Sequence, residues 1–231
     1  MIALGVTGTD TGVGKTTVAC AMAAALRHRC RVGVLKPVET GVAADSDDRD
    51  AVRLIRATGR DLDVSRVCPY VLALPVTPLV AARGTGIEID VARLDRAFLE
   101  ACQDCDVTIV ESAGGLLSPV ADGVSFETLS QRWKLTLVVV APNRIGVLNH
   151  VLLTMRAIHD AGLSAHAVVL NDVDAIGDAS SDSNQGVLAE LLSDIPVVRF
   201  PFVPHRDDYG ALAQAAERAG ALAPARIFMP N

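Results

Sequence analysis

Residues 8–16 read GTDTGVGKT and contain the residue types that bind the phosphates of a nucleotide. Glycines let successive N–H groups turn toward an anion, and a helix starting near Gly14 would add its positive dipole end. The Lys15 ammonium suits the β- and γ-phosphates, and the Thr16 hydroxyl suits a magnesium ion. The stretch therefore predicts a nucleotide site. The alternative is a glycine-rich turn between a strand and a helix, with an exposed lysine.

The spacing of this loop is unusual. The common pattern has four residues between its first glycine and Gly-Lys-Ser/Thr, whereas five residues follow Gly8 before Gly14. Either the loop is one residue longer, or Thr9 takes the place of the first glycine. Neither arrangement removes a group that binds phosphate.

Carboxylates that could complete a magnesium site occur at two places. Magnesium takes hard oxygen ligands, usually one or two carboxylates with phosphate oxygens and water. The segment DSDDRD (45–50) supplies several acids, most of which we expect to be solvated. Glu111 ends the apolar run VTIVE and precedes SAGG, which predicts a strand end followed by a turn that a ligand can approach closely. The alternative is an acid that simply faces water.

Lys36 and Asn171 each follow an apolar run and would point into the same crevice. Two lysines near one set of phosphates suit a reaction in which negative charge builds up. Asn171 offers a donor and an acceptor to a flat heterocycle, although an asparagine also commonly supports a turn. The five histidines lack the spacing of metal ligands. We therefore expect phosphoryl transfer by positioning and charge, without a protein nucleophile.

Six short apolar runs alternate with longer amphipathic stretches and would position these side chains. The runs are rich in β-branched residues, as strands buried on both faces should be. This alternation predicts an α/β fold of the P-loop type, with a doubly wound, mainly parallel sheet and helices on both faces, in a single domain over 1–231. The predicted strands are 2–7, 31–37, 106–112, 135–142, 165–172 and 195–201. The predicted helices lie near 14–29, 47–58, 90–103, 125–132, 146–161, 185–193 and 209–220.

Ligands bind such sheets beyond the carboxyl ends of the strands. The polar residues expected at those ends outline one site: Thr7–Gly8, Lys36, Glu111–Ser112, Asn171–Asp172 and the turn 201–204. Three segments, 40–48, 59–86 and 172–184, are expected to be irregular. Long loops in a compact domain often carry function.

The composition makes several classes of partner poor candidates. Half of the residues are hydrophobic but only 3% are aromatic, so the core should consist of Ala, Val and Leu. A net charge of −6 without a cluster of Lys and Arg argues against nucleic acid and anionic membranes.

No run of apolar residues reaches the length of about 18 that a membrane span needs. Met1 opens no signal peptide. We therefore expect a cytoplasmic protein. The five cysteines, including the pair Cys102 and Cys105, are expected to be reduced thiols.

Five motifs, in order and spacing, resemble the dethiobiotin synthetase family. They are VTGTDTGVGKT (6–16), KPVETG (36–41), VESAGGLLSPV (110–120), GVLNH (146–150) and LND (170–172). The resemblance covers about residues 2–205, and the longer loop is a feature of the family. It implies a homodimeric ligase, dependent on ATP and Mg²⁺, that closes the ureido ring of dethiobiotin from 7,8-diaminononanoate and CO2. The implied route passes through a carbamate and a carbamic-phosphoric anhydride and releases ADP and phosphate.

The resemblance also implies which residues bind ATP and magnesium. The loop would hold the phosphates with Gly12, Val13, Gly14, Lys15, Thr16 and Thr17. Adenine would be contacted by Asn171, Pro201, Phe202 and Val203. The metal would be held by Thr16, Asp50 and Glu111. Asp50 is chosen among its acidic neighbours because DAVRL resembles the family's sequence at that point.

The second substrate would be bound by a different set. Lys36 would contact the carbamate and the transferring phosphoryl group, and Lys15 and Thr11 would share the catalytic role. Thr11 and Thr40 would lie beside the diamine. The carboxylate tail of the diamine would be bound across the dimer by Gly146, Val147, Leu148 and Asn149, where the start of a helix suits an anion.

The chain departs from the family pattern at three positions. Ser112 stands where glycine is usual, which affects the turn after Glu111. Leu74 stands where an acid is usual and Leu79 where a histidine is usual, which affects the loop over the substrate but not the ATP site.

Three alternative functions belong to other classes of protein. A partitioning ATPase usually carries a lysine early in its phosphate loop, and residues 8–14 contain none. An enzyme that amidates cobyrinic acid has an added glutaminase domain, for which we expect this chain to be too short. A non-catalytic nucleotide sensor with the same fold is the third.

Overall fold

A computed structural model describes residues 1–220 of the chain, so the end of the predicted domain, 221–231, lies outside the described residues. The strands are, in chain order, β1 (Ile2–Gly8), β2 (Val32–Leu35), β3 (Val38–Thr40), β4 (Tyr70–Leu72), β5 (Val107–Gly115), β6 (Pro119–Ala121), β7 (Val124–Ser125), β8 (Thr136–Pro142), β9 (Ser164–Asn171) and β10 (Val197–Phe200).

Helices connect these strands. They are α1 (Lys15–Leu26), α2 (Asp50–Thr58), α3 (Val64–Val67), α4 (Pro78–Thr85), α5 (Val91–Cys102), α6 (Phe126–Trp133), α7 (Val147–Asp160), α8 (Asn184–Leu191) and α9 (Tyr209–Arg218). Within residues 1–220, no helix has both the length and the apolar character that crossing a membrane requires.

Six strands form the central sheet in the order β10-β9-β8-β1-β5-β2, and every neighbouring pair is parallel. From β1 the chain passes to β2 at one edge of the sheet and then returns to β5, which lies between them. After β5 it crosses to the other side of β1 and continues outward through β8, β9 and β10, so the direction of winding reverses between β5 and β8, the two strands that flank β1. Ligands bind such sheets at the carboxyl ends of the strands beside that reversal, which is where the glycine-rich loop begins.

Helices cover both faces of the sheet, as the sequence predicts. Alternate residues of β8 point to opposite faces. Val138 and Val140 pack in a core with α1, α2 and α9, whereas Leu137, Val139 and Ala141 pack in a second core with α5, α6 and α7. All six predicted strands of this sheet and all seven predicted helices are therefore confirmed, with small shifts of their ends.

Helix α1 fixes the end of the loop that precedes it. Its sequence KTTVACAMAAAL is mostly small, and every residue from Val18 to Leu26 is buried. Alanine favours the helix and lets it approach the sheet closely. Helix α1 packs against β1, α2 and α9. These contacts fix its first turn, which carries Lys15 and Thr16, at the carboxyl end of β1.

Two expectations about local structure are wrong. The segment 59–86, which we expected to be irregular, contains α3, β4 and α4. The elements α3 and β4 are too short to show a period in the sequence. Helix α4 begins with Pro78 and is followed by Gly86 in the left-handed conformation. Glu111 does not end its strand, because β5 continues through SAGG to Gly115. This extension follows an irregularity in the pairing with β1, after which Gly8 pairs with Gly115.

Helices α5 and α6 are joined by one polar contact. Asp95 accepts hydrogen bonds from Arg132 Nε at 2.7 Å and from Trp133 Nε1 at 2.8 Å. The Trp133 ring stacks on Phe98 with centroids 4.9 Å apart. The hydrogen bonds from Arg132 and Trp133 lower the pKa of Asp95. Since a carboxyl with a lowered pKa in the folded state stabilises the fold while it is ionised, this contribution is present above the ordinary carboxyl pKa and is lost as pH falls through the lowered value.

We expect Asp95→Ala to reduce the free energy of unfolding by about 1 kcal/mol at pH 7, because Trp133 loses its acceptor and Arg132 its partner. Urea denaturation at pH 7 and at acid pH measures this, and the difference from the unaltered chain should shrink in acid. Asp122→Ala, which removes the exposed partner of Arg83, is the control and should change little. A deficit of the same size at both pH values would contradict the assigned ion pair.

Candidate active site

The glycine-rich loop leaves β1 and enters α1 in a conformation that two glycines permit. Gly12 and Gly14 have φ of 75° and 94°, in the left-handed region, where a side chain is disfavoured. Gly14 is the residue before α1, whose first residue is Lys15. The strand, loop and helix therefore stand in the order that a phosphate site requires.

Asn171, at the end of β9, supports this loop. Its Nδ2 donates to the carbonyl of Val13 at 2.9 Å, and its side chain is buried. A Cβ on Gly14 would lie only 2.1 Å from the same Nδ2. Gly14 is thus required both by its backbone angle and by the close approach of Asn171.

A cavity of about 800 Å³ opens beside the loop at the carboxyl ends of β1, β2 and β5. It brings together most of the residues to which the sequence assigns a role. Those that line it are Thr11, Gly12, Gly14, Lys15, Thr16, Thr17, Lys36, Thr40, Asp50 and Glu111. Phosphate-binding, metal-binding and substrate-binding candidates from four separate stretches of the chain therefore meet at one place.

The Lys36 ammonium lies between two carboxylates on the cavity wall. Its Nζ is 2.6 Å from Glu111 Oε1 and 2.8 Å from Asp50 Oδ2, and it also donates to the Ser112 carbonyl at 3.3 Å. Burial of Lys36 disfavours its charge, but Glu111 and Asp50 outweigh this effect and raise its pKa. Burial likewise opposes ionisation of Asp50, yet Lys36 lowers the pKa of that carboxyl. The two carboxylates therefore stabilise the charged form of Lys36.

The second lysine of the cavity, Lys15, is held by the loop itself. Its Nζ donates to the carbonyl of Asp10 at 2.8 Å. Burial lowers the pKa of Lys15 to about 8, and the positive charge of Lys36 acts in the same direction. An anion that enters the cavity would relieve this cost, because it would stabilise the charged form of both lysines.

The donor set around Thr16 fits a magnesium ion. The Thr16 hydroxyl donates to Glu111 Oε1 at 2.7 Å, and Glu111 Oε2 is buried without a hydrogen-bond partner. Burial raises the pKa of Glu111, although Lys36 partly offsets it. No cluster of three or more His, Cys, Asp or Glu side chains suited to a metal occurs in the described part of the chain. A cation here would therefore need phosphate oxygens or water to complete its shell, as magnesium commonly does.

The position of Asp50 depends on an ion pair between Glu39 and Arg49 that the sequence did not predict. Glu39, in β3, accepts the backbone N–H of Asp50 with one oxygen and Arg49 Nε with the other at 3.2 Å. Arg49 also donates to the carbonyl of Ala44 at 3.0 Å. Glu39 and Arg49 are both buried. Because this pair holds the start of α2, it sets where the Asp50 carboxylate meets Lys36.

Several predicted residues do not line the cavity. Val13 and Asn171 are both buried, and the Val13 carbonyl accepts the hydrogen bond from Asn171 Nδ2. Pro201, Phe202 and Val203 follow the end of β10, and Phe202 is 39% exposed. The remaining group begins α7 and comprises Gly146, Val147, Leu148 and Asn149.

The three positions that depart from the family pattern lie in different parts of the fold. Ser112 lies inside β5, is fully buried, and donates to the carbonyl of Gly114 at 2.8 Å. Leu74 is 42% exposed and is followed by Pro75–Pro78, which lines the cavity. Leu79 is in α4. Two arginines that the sequence did not suggest, Arg53 and Arg206, also line the cavity.

A family profile and several relatives match most of this chain. A family profile described as an AAA domain matches residues 3–209. The chain is 36% identical to the ATP-dependent dethiobiotin synthetase BioD of Anaeromyxobacter dehalogenans over 228 residues, which are 98% of this chain and 99% of the relative. It is also 36% identical to the protein of that name from Rhodopirellula baltica over 195 residues, 78% of this chain and 76% of the relative.

Solved structures with a similar fold include two that match the whole length of this chain. The first is a nucleotide-binding protein from Archaeoglobus fulgidus in complex with ADP, with a TM-score of 0.53, 14% identity, and coverage of 100% of this chain and 92% of the other. The second is the MinC:MinD cell division protein complex of Aquifex aeolicus, with a TM-score of 0.54, 13% identity, and coverage of 100% and 98%. At these identities the likeness establishes the fold alone.

Gly14→Ala should weaken nucleotide binding at least about tenfold, because the new methyl group would displace Asn171 as well as strain the backbone. Calorimetric titration with ATP measures the affinity. Gly12→Ala is the matched control, since its φ is also positive but no atom lies within 4 Å of a Cβ built there. Equal losses in the two variants would show that the contact with Asn171 does not matter.

Proposed function

The chain belongs to the dethiobiotin synthetase family, and on that premise we propose that it is an ATP-dependent ligase of biotin biosynthesis. It closes the ureido ring of dethiobiotin from 7,8-diaminononanoate and CO2 and releases ADP and phosphate. The observation that carries this proposal is the meeting of the phosphate loop with Lys36, Asp50 and Glu111 in one cavity. Such a set can hold a triphosphate and neutralise charge as a phosphoryl group is transferred.

ATP is bound by the loop. Its N–H groups, from Gly12 to Thr17, together with the start of α1, face the phosphates, and Lys15 adds a buried positive charge. Asn171 ends β9 and pairs with Phe200, so the turn at 201–203 begins beside it at the carboxyl ends of the two strands. This proximity supports the assignment of both to adenine.

Magnesium fits beside these phosphates. Thr16, Asp50 and Glu111 would hold it, and the unpartnered Glu111 Oε2 supports that assignment. When bound, the ion supplies positive charge next to the phosphate oxygens. The protein side chains then need only position the reactants.

The chemistry follows from that positioning. CO2 adds to one amine of the diamine and gives a carbamate, with loss of a proton from the nitrogen. A carbamate oxygen attacks the γ-phosphorus, ADP leaves, and a carbamic-phosphoric anhydride forms. The second amine attacks the carbonyl carbon and loses a proton, phosphate leaves, and the ring closes. Lys36 neutralises the charge of the carbamate and of the transferring phosphoryl group, and Thr11 and Thr40 orient the amines.

The proposed cytoplasmic enzyme is a homodimer. Gly146–Asn149 begins α7 outside the lining of the cavity, and Asn149 is exposed. Two apolar side chains on either side of this segment, Ile145 and Leu153, are 80% and 62% exposed. An apolar surface beside an exposed helix start supports contact with a second copy, whose cavity would then receive the helix N–H groups and Asn149 for the substrate carboxylate.

An assay of ATP turnover with and without the diamine and bicarbonate tests this function. We expect ADP release to depend on both. Turnover that ignores the diamine would favour a switching ATPase, and tight ATP binding without turnover would favour a nucleotide sensor.

Lys36→Ala should reduce turnover at least about a hundredfold and leave ATP affinity largely intact, because its charge serves the carbamate and the transferring group. Lys15→Ala is the contrasting variant and should lose ATP affinity. Single-turnover kinetics and ATP titration separate the two effects, and circular dichroism checks the fold. An equal collapse of ATP binding in both variants would refute the role assigned to Lys36.

Asn149→Ala should raise the KM for the diamine about tenfold and change the KM for ATP less, since this side chain serves the carboxylate tail. The adjacent exposed His150→Ala is the control and should leave both values near those of the unaltered chain. A larger effect on ATP than on the diamine would undo the assignment across the dimer.

A further inference from the structure

Arg206 lines the cavity from the loop between β10 and α9. The backbone of this loop is tied to α2, because Arg53 Nη2 donates to the Arg206 carbonyl at 3.0 Å. Arg53 Nε also pairs with Asp207 Oδ1 at 3.3 Å. Since Arg53 is buried, the backbone position of Arg206 is fixed next to the start of α2.

The side chain of Arg206 is held much less firmly. Its Nη2 lies 2.5 Å from Asp48 Oδ1, and the two side chains are 57% and 65% exposed. Asp48 belongs to the loop that precedes α2 and also lines the cavity. An ion pair this exposed contributes little to stability and can exchange one partner for another at low cost.

Arg206 differs in this respect from the other cations of the cavity. The cationic residues that line it within residues 1–220 are Lys15, Lys36, Arg53 and Arg206. Three of them are at most 7% exposed, in contacts with the phosphate loop, with Asp50 and Glu111, or with Asp207. Arg206 is the member of this set with more than half of its side chain exposed. It is therefore the guanidinium free to turn toward a ligand.

We propose that Arg206 binds the triphosphate of ATP and exchanges Asp48 for phosphate oxygens when the nucleotide enters. A guanidinium presents a planar fork of donors that matches phosphate oxygens. The exposed Asp48 carboxylate, once released, is solvated by water. In the absence of nucleotide, Arg206 pairs with Asp48 beside the cavity. This inference rests on the proposed function only in requiring that the cavity binds ATP.

Opposite effects of two single substitutions test the exchange. Titration of ATP with Mg²⁺ into Arg206→Gln should show an affinity about tenfold lower, with a smaller deficit at high salt. Asp48→Asn, which frees Arg206, should show an affinity equal to or higher than that of the unaltered chain. Arg206→Lys should recover part of the loss, because it restores the charge but not the fork.

A merely structural contact between the two loops would behave differently. Arg206→Gln and Asp48→Asn would then weaken ATP binding equally, and that result, or an unchanged affinity in Arg206→Gln, would overturn the proposal. The titrations do not depend on turnover. If the unaltered chain binds ATP but shows no turnover that depends on the diamine, the proposed function fails while the role of Arg206 is still decided.

Discussion

A buried ammonium between two carboxylates determines the geometry of the whole site. Lys36 follows β2, Asp50 begins α2 and Glu111 lies within β5, so the contact joins three segments that are distant in sequence. Taking Lys36 and Glu111 out of water is costly, and apolar residues would often stabilise a fold as well or better. A cluster of this kind in a cavity, next to a phosphate loop, is therefore best understood as a site prepared for charged substrates.

The surrounding framework exists to place these three charges and the loop. The parallel sheet brings the carboxyl ends of β1, β2 and β5 together. Asn171 holds the loop from β9, and the buried pair of Glu39 and Arg49 holds the start of α2. Arg53 ties the loop after β10 to α2. Each support acts through a short, specific polar contact backed by the two apolar cores.

The sequence predicts the parts of this arrangement that are local. The loop from Gly8 to Thr16 lies between a strand and a helix, as its glycines and lysine indicate, and periodicity predicts the six strands of the sheet. Periodicity cannot predict β3, β4 or α3, which are too short to show it, or the continuation of β5 past Glu111, which depends on pairing with Gly8. Glu39 and Arg206 are also missed, because their roles depend on partners brought close only by the fold.

In the proposed reaction, the γ-phosphoryl group of ATP is transferred to a carbamate oxygen. Reaction with ¹⁸O-labelled CO2, stopped before the label exchanges with water, tests it through mass spectrometry of the released phosphate. Attack by the carbamate leaves one oxygen from CO2 in that phosphate, so we predict one ¹⁸O per phosphate formed in step with dethiobiotin. Phosphate that contains no oxygen from CO2, formed at the same rate, would contradict the mechanism and show that water is the acceptor.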